Sequence, residues 1–223
     1  MDLIRKYYDQ LAREYDHDRF GNSYGRFIDQ AERHILSSWL PQTRHAPTAD
    51  LACGTGRLLA FADIGIDLSA NMLAEARQKW PERPLIHATA QQLPLPDESV
   101  QTVFAFHLLM HLEPDICARI LNEAHRVLKP GGLLILDFPS ARRRGKRTRA
   151  TPAGAWHGST SYTLQDITHM AQGFRLKTHT GLLWLPIHRL PRAIRSYMTL
   201  VDRALSRLMP EWSSYLVICL EKA

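Results

Sequence analysis

Three groups of residues in this 223-residue chain carry most of its chemical potential. One is a bend of small residues, Asp50-Leu51-Ala52-Cys53-Gly54-Thr55-Gly56-Arg57. Glycines there let the backbone approach a ligand, because no Cβ stands in the way. A helix start just beyond would offer free N–H groups to an anionic group. The second is Asp67, which closes the apolar run Ile64-Gly65-Ile66. An acid at the carboxyl end of a parallel strand is placed to hold ribose hydroxyls. The third is the pair His107 and His111, whose imidazoles can take a proton from a hydroxyl or amine near neutral pH. They are four apart, but no third ligand accompanies them, so no metal is expected.

The glycine pattern narrows the ligand. A dinucleotide site wants G-x-G-x-x-G, and after Gly54 and Gly56 the third position is Leu59. A P-loop wants Gly-Lys-Ser/Thr, which is absent. The bend therefore suits a nucleoside without a pyrophosphate. Only ten residues separate Gly56 from Asp67, so the intervening helix must be short, about two turns by helix geometry.

The elements that must position these groups alternate. An amphipathic helix over 5–20 carries Tyr7, Tyr8, Leu11, Ala12 and Tyr15, and a second over 24–40 stops before Pro41. Strands are expected at 48–52, 62–67, 85–88, 99–106 and 133–138. Ser69 caps a helix running to Trp80. Residues 115–128 form a clear amphipathic helix that ends at Lys129-Pro130-Gly131-Gly132. Thr163 and Asp166 read as a capping box. Residues 174–184 and 213–222 read as a closing antiparallel pair around an insert, 185–210. Its helix, 192–208, gathers Ile194, Tyr197, Met198, Val201, Leu205 and Leu208 on one face, with arginines largely off it.

Length fits one domain with a sizeable core. No apolar run spans a bilayer and no signal peptide opens the chain. Cys53, Cys117 and Cys219 are scattered, which fits a reducing cytoplasm. Charge is uneven. Residues 1–138 carry 14 Lys+Arg against 18 Asp+Glu, a net of −4; residues 139–223 carry 14 against 4, a net of +10. The basic stretch Arg142, Arg143, Arg144, Lys146, Arg147 and Arg149 permits contact with an anionic partner, nucleic acid or membrane, or is a solvated face.

Taken together, residues 50–57, 64–76, 93–112 and 126–137 resemble, in order, the class I S-adenosylmethionine-dependent methyltransferases of the small-molecule type. The resemblance implies a Rossmann-like, doubly wound α/β fold. Its seven-stranded sheet would be mostly parallel, with an antiparallel C-terminal strand pair. It implies a single domain: a helical cap over 1–47, a cofactor-binding core over 48–140, then the basic loop, a substrate-side insert and closing strands. S-adenosyl-L-methionine is the implied cofactor, with Tyr15, Asp50, Ala52, Cys53, Gly54, Gly56, Asp67, Leu68, Met72, Thr89, Ala90, Gln91 and Phe106 as contacts. Tyr8 joins Tyr15 as a lid residue. Gly54 and Gly56 would admit the amino-acid end, Asp67 the ribose and Thr89 to Gln91 the adenine. Thr89 replaces the family's usual acid, and Gln101 stands where an Asp is common. His107 and His111 fall beside the methyl donor and are the candidate catalytic residues.

The implied acceptor is a small molecule, apolar or anionic. Phe106-His107-Leu108-Leu109 lacks the Asn/Asp-Pro-Pro-aromatic signature of base-amino methylation, and no Pro-Cys nucleophile is present. The insert would shape the acceptor pocket. Its helix reads as a lid or dimer face, or as a basic amphipathic helix lying on anionic lipid. Monomer and homodimer both remain open. The alternative to an enzyme is a protein that keeps this fold and binds RNA or a membrane surface.

Overall fold

A computed structural model describes residues 2–42, 46–145, 160–191 and 194–223. Seven strands form one sheet in the order β3-β2-β1-β4-β5-β7-β6. These are β1 (Thr48–Leu51), β2 (Ile64–Asp67), β3 (Leu85–His87), β4 (Val100–Ala105), β5 (Leu128–Pro139), β6 (Phe174–Leu182) and β7 (Tyr215–Lys222). The first five run parallel, and β7 pairs antiparallel with both β5 and β6. Buried on both faces, the central strands need apolar residues at successive positions. On β4, Val103 and Ala105 join the core under α5 (Pro114–Val127), while Phe104 joins the opposite core under α3 (Ser23–Trp39). On β5, Leu134 and Leu136 face the first core, and Leu133 and Ile135 the second. Glycine and proline signals thus end helices where the sequence suggests, and the 163/166 capping box forms.

Three expectations change. The single N-terminal helix is two, α1 (Asp2–Leu11) and α2 (Tyr15–Phe20). The break lets α2 cross the glycine bend, where Asp16 accepts from Thr55 Oγ1 at 2.5 Å and pairs with Lys79. The helix after Gly56 is a single 3-10 turn, Leu59–Phe61. Since β2 begins at Ile64, too few residues remain for two α-turns and a loop. In the insert, α8 (Arg195–Leu208) turns its apolar stripe outward: Tyr197 is 74% exposed and Leu208 78%, while Asp202 and Ser206 are buried. The basic stretch is described only to Gly145. Arg142 pairs with Glu211 at 3.0 Å, and Arg143 donates to the Trp212 carbonyl at 2.8 Å. Lys146, Arg147 and Arg149 lie outside the described residues. No helix among the described residues is long and apolar enough to cross a membrane.

Candidate cofactor and acceptor site

The bend after β1 is tight because three of its residues take left-handed backbone: Ala52 (φ 61°), Gly54 (φ 54°) and Gly56 (φ 78°). The two glycines serve different ends. A Cβ at Gly54 would meet nothing within 4 Å, and Gly54 lines a cavity. A Cβ at Gly56 would strike Leu59, Trp80 and Ala76 at 2.9–3.2 Å, so this glycine serves packing rather than ligand approach. The Trp80 indole N–H also donates to the Gly56 carbonyl at 2.9 Å.

Asp67 locks the bend to β2. Its two oxygens accept one N–H each, from Gly54 and Ser69, both at 2.8 Å. A carboxylate oxygen has two lone pairs, so each retains capacity for a ligand hydroxyl. Burial pushes its pKa up, against the pull of those N–H groups. Asp67 lines a cavity of about 760 Å³ with Tyr8, Tyr15, Ala52, Gly54, Leu68, Met72, Ala88, Ala90 and Phe106. This cavity lies at the carboxyl ends of β1, β2 and β4, where ligands of open α/β sheets bind. Thr89 and Gln91 do not line it; Thr89 Oγ1 instead accepts the Gln91 N–H at 3.3 Å. The chain turns there, the Gln92 N–H donating to the Thr89 carbonyl at 3.1 Å. Asp50 and Cys53 line an adjoining cavity of about 370 Å³ with Thr55, Arg57, Phe106 and His107. Burial raises the Asp50 carboxyl and the Cys53 thiol well above their ordinary values.

The two histidines separate in role. His107, left-handed at φ 61°, sits between two buried carboxylates. Its Nε2 is 2.8 Å from Glu32 Oε1 and its Nδ1 3.4 Å from Asp137 Oδ2. Its backbone N–H donates to Asp137 Oδ1 at 2.5 Å, which holds the strained backbone. Nε2, Glu32 Oε1 and Asp137 Oδ2 make no aligned hydrogen bond, so charge holds the imidazole here. Burial alone would lower the His107 pKa; Glu32 and Asp137 overcome it and raise it. At Glu32, burial is outweighed by His107 and Arg57, and the pKa falls. At Asp137 burial wins over His107 and the pKa rises to about 6, so of the two carboxylates Glu32 gives up its charge less readily. Arg57 completes the network at 2.6 Å from both Glu32 and Asp29.

Glu32 and Asp137 are the residues that sequence reasoning missed. Both left a signal: Glu32 falls on the apolar face of α3 between Ile28 and Ile35, and Asp137 interrupts an apolar strand. Ligating atoms of Glu32, His107 and Asp137 lie within 4.8 Å of one another, a spacing that suits a metal. The cluster takes in His107 but not His111. Arg57, and His107 with its pKa raised by these carboxylates, already set positive charge against them within the network.

His111 lies in a 3-10 turn, Leu109–His111, and its Nε2 is 2.8 Å from the Tyr8 hydroxyl. Tyr8, Tyr15, His107 and His111 form a wall shared with a third cavity of about 500 Å³. Phe20, Tyr24, Ile28, Met110 and Tyr215 also line this cavity, with Arg19. The insert lines none of these three cavities among the described residues. Instead α8 borders a separate groove with α3 and β6, because it packs on the far sheet edge. The acceptor-side walls come from α1, α2, α3, the segment after β4 and Tyr215 at the start of β7.

A parallel sheet of this order, with an antiparallel β7 between β5 and β6 and a glycine bend opposite a β2 acid, is the class I methyltransferase architecture. Residues 49–136 match a family model described as a methyltransferase domain. A demethylmenaquinone methyltransferase of Chlorobaculum tepidum is 35% identical over 147 residues, 61% of this chain and 59% of that protein. A probable S-adenosylmethionine-dependent methyltransferase of Mycolicibacterium smegmatis is 29% identical over 136 residues, 60% of this chain and 50% of that protein. The matches thus span about half to three-fifths of these curated relatives. In fold, the chain is similar to a methyltransferase of Thermotoga maritima described as a possible histamine N-methyltransferase. That likeness has a TM-score of 0.70 and 19% identity, over 99% of this chain and 100% of the other.

Proposed function

We propose that this protein transfers a methyl group from S-adenosylmethionine to a small, largely apolar, ring-containing acceptor. The observation that carries the reading is the shared wall. A cavity with an unobstructed glycine and a buried acid adjoins an aromatic cavity, and Tyr8, Tyr15, His107 and His111 border both.

The residues fit the donor. Gly54 leaves its cradle free of side-chain bulk, Asp67 keeps acceptor capacity for ribose hydroxyls, and Ala88, Ala90, Leu68 and Met72 give an apolar slot for adenine. Asp50, whose carboxyl group makes no hydrogen bond or ion pair with a described residue, faces the adjoining cavity and would take an ammonium. When bound, S-adenosylmethionine supplies an electrophilic methyl on a sulfonium whose charge falls as the methyl departs. The chain's part is then to orient the acceptor and exclude water, which can supply much of the acceleration.

Tyr8 and Tyr15 close the donor cavity from above and present their rings to the acceptor. His111 is the residue we assign as base: it takes the proton of an acceptor hydroxyl or amine, with Tyr8 fixing its ring. His107, tied between Glu32 and Asp137, positions the wall between the two cavities. One relative is named for demethylmenaquinone, a ring compound of the class this aromatic cavity suits. The test is calorimetric titration with S-adenosylmethionine, then transfer of its labelled methyl to a panel of phenols, naphthols and aryl amines. Saturable donor binding and label in a ring acceptor are expected. No donor binding, or donor binding with labelling only of aliphatic polar acceptors, would overturn the proposal.

A further inference from the structure

The helix of the insert is inside out. An amphipathic helix on a globular surface normally buries its apolar stripe. On α8 the buried positions are Asp202 and Ser206, and the solvent-facing ones include Tyr197, Leu200, Val201 and Leu208. The packing explains this. Asp202 Oδ1 accepts the Leu185 N–H at 2.7 Å, and Ser206 Oγ lies 3.4 Å from Ser213 Oγ. These polar ties fix the roll of the helix and leave a row of large apolar side chains in water. Exposed Met209 and Trp212 extend the row beyond its end.

We propose that this face of α8 is a docking surface for an anionic lipid bilayer, with the helix lying in the plane of the interface. Two features select that partner. Along one flank of the stripe stand Arg203 and Arg207, which make no ion pair or hydrogen bond with a described residue. Residues 139–223 as a whole carry 14 Lys+Arg against 4 Asp+Glu. Aliphatic and aromatic residues at the acyl boundary with arginines at the headgroups describe an interfacial helix. A second copy fits less well. The sole acid of α8 is the buried Asp202, so a self-paired stripe would bring arginines together with no carboxylate of either helix to meet them. The surface also leads toward the site: after Trp212, Tyr215 lines the aromatic cavity, and Arg142 and Arg143 hold this connection through Glu211 and the Trp212 carbonyl. Acceptor molecules dissolved in the bilayer would then be collected close to that cavity.

The experiment is flotation of the full chain with vesicles of phosphatidylcholine alone or with about a third phosphatidylglycerol, at low and high salt. Co-flotation with the anionic vesicles is expected, weakened by salt. L200E/L208E should abolish it, and R203Q/R207Q should reduce the partition coefficient by about fivefold per arginine. Circular dichroism checks folding of each variant, so a failure of donor binding would touch the proposed enzymatic activity and not this surface. No flotation, or flotation that L200E/L208E leaves intact, would overturn the proposal. So would a wild-type dimer that L200E/L208E splits without any vesicle binding, which would assign the stripe to a second copy.

Discussion

Replacing Glu32 by Gln tests whether His107 is a fixed cation. The carboxylate is fully buried, 2.6 Å from Arg57 Nη2 and 2.8 Å from His107 Nε2. Removing one partner of a buried ion pair costs about 3–5 kcal/mol, because the charge left behind is uncompensated. For a chain of this length that lowers the melting temperature by roughly 6–20 °C. The pH dependence gives a sharper signature. The folded-state pKa of His107 is raised from its ordinary 6.5, so its contribution is full below that value. It is lost as pH rises through the raised one. That of Glu32 is lowered from 4.5, so its contribution is present above that value and lost as pH falls through the lowered one. The wild type should therefore exceed E32Q in stability most between about pH 5 and 6.5, with the gap narrowing on either side. In E32Q burial dominates and His107 should titrate at lower pH. Urea unfolding across pH, with nuclear magnetic resonance titration of the His107 ring, reads both. A stability gap under about 1 kcal/mol at pH 6, or an unmoved His107 titration, would refute the reasoning.

Other outcomes follow from the same geometry. Asp67→Ala should weaken S-adenosylmethionine binding by roughly a hundredfold or more, two charge-assisted hydrogen bonds being lost, as read by calorimetry. Because burial raises the Asp67 pKa and hydroxyl donors favour its ionised form, wild-type donor affinity should rise with pH through that titration. Gly56→Ala should lower stability by about 2–4 kcal/mol in denaturant unfolding, since its Cβ meets three side chains at positive φ. Gly54→Ala should cost only about 1–2 kcal/mol of stability but impair donor binding, because its Cβ enters the cavity. Tyr8→Phe should cut kcat by about tenfold or more toward hydroxyl acceptors and shift the acid-side limb of the pH–rate profile, with little change in melting temperature; an unchanged profile would free His111 from the assigned role.

The sheet and the donor bend were legible in the chain because their determinants are local. Apolar runs of strand length, the glycines at 54 and 56, the acid at 67 and the caps at Ser69 and Thr163 act within a few residues of where they stand. Their order then leaves few ways to wind the sheet. Gly56 shows the limit even here: its residue type announces a turn, but only the packing of Trp80 and Ala76 shows that the glycine makes room for side chains and Gly54 for a ligand. The network around His107 joins α3, the bend, the end of β4 and β5, which no spacing along the chain reveals. The insert teaches the same lesson. Periodicity correctly groups Tyr197, Val201 and Leu208 on one side of a helix, but it cannot choose which side meets the core. That choice fell to Asp202 and Ser206, because a backbone N–H at Leu185 and a hydroxyl at Ser213 needed partners away from water, and satisfying them turned the apolar stripe outward.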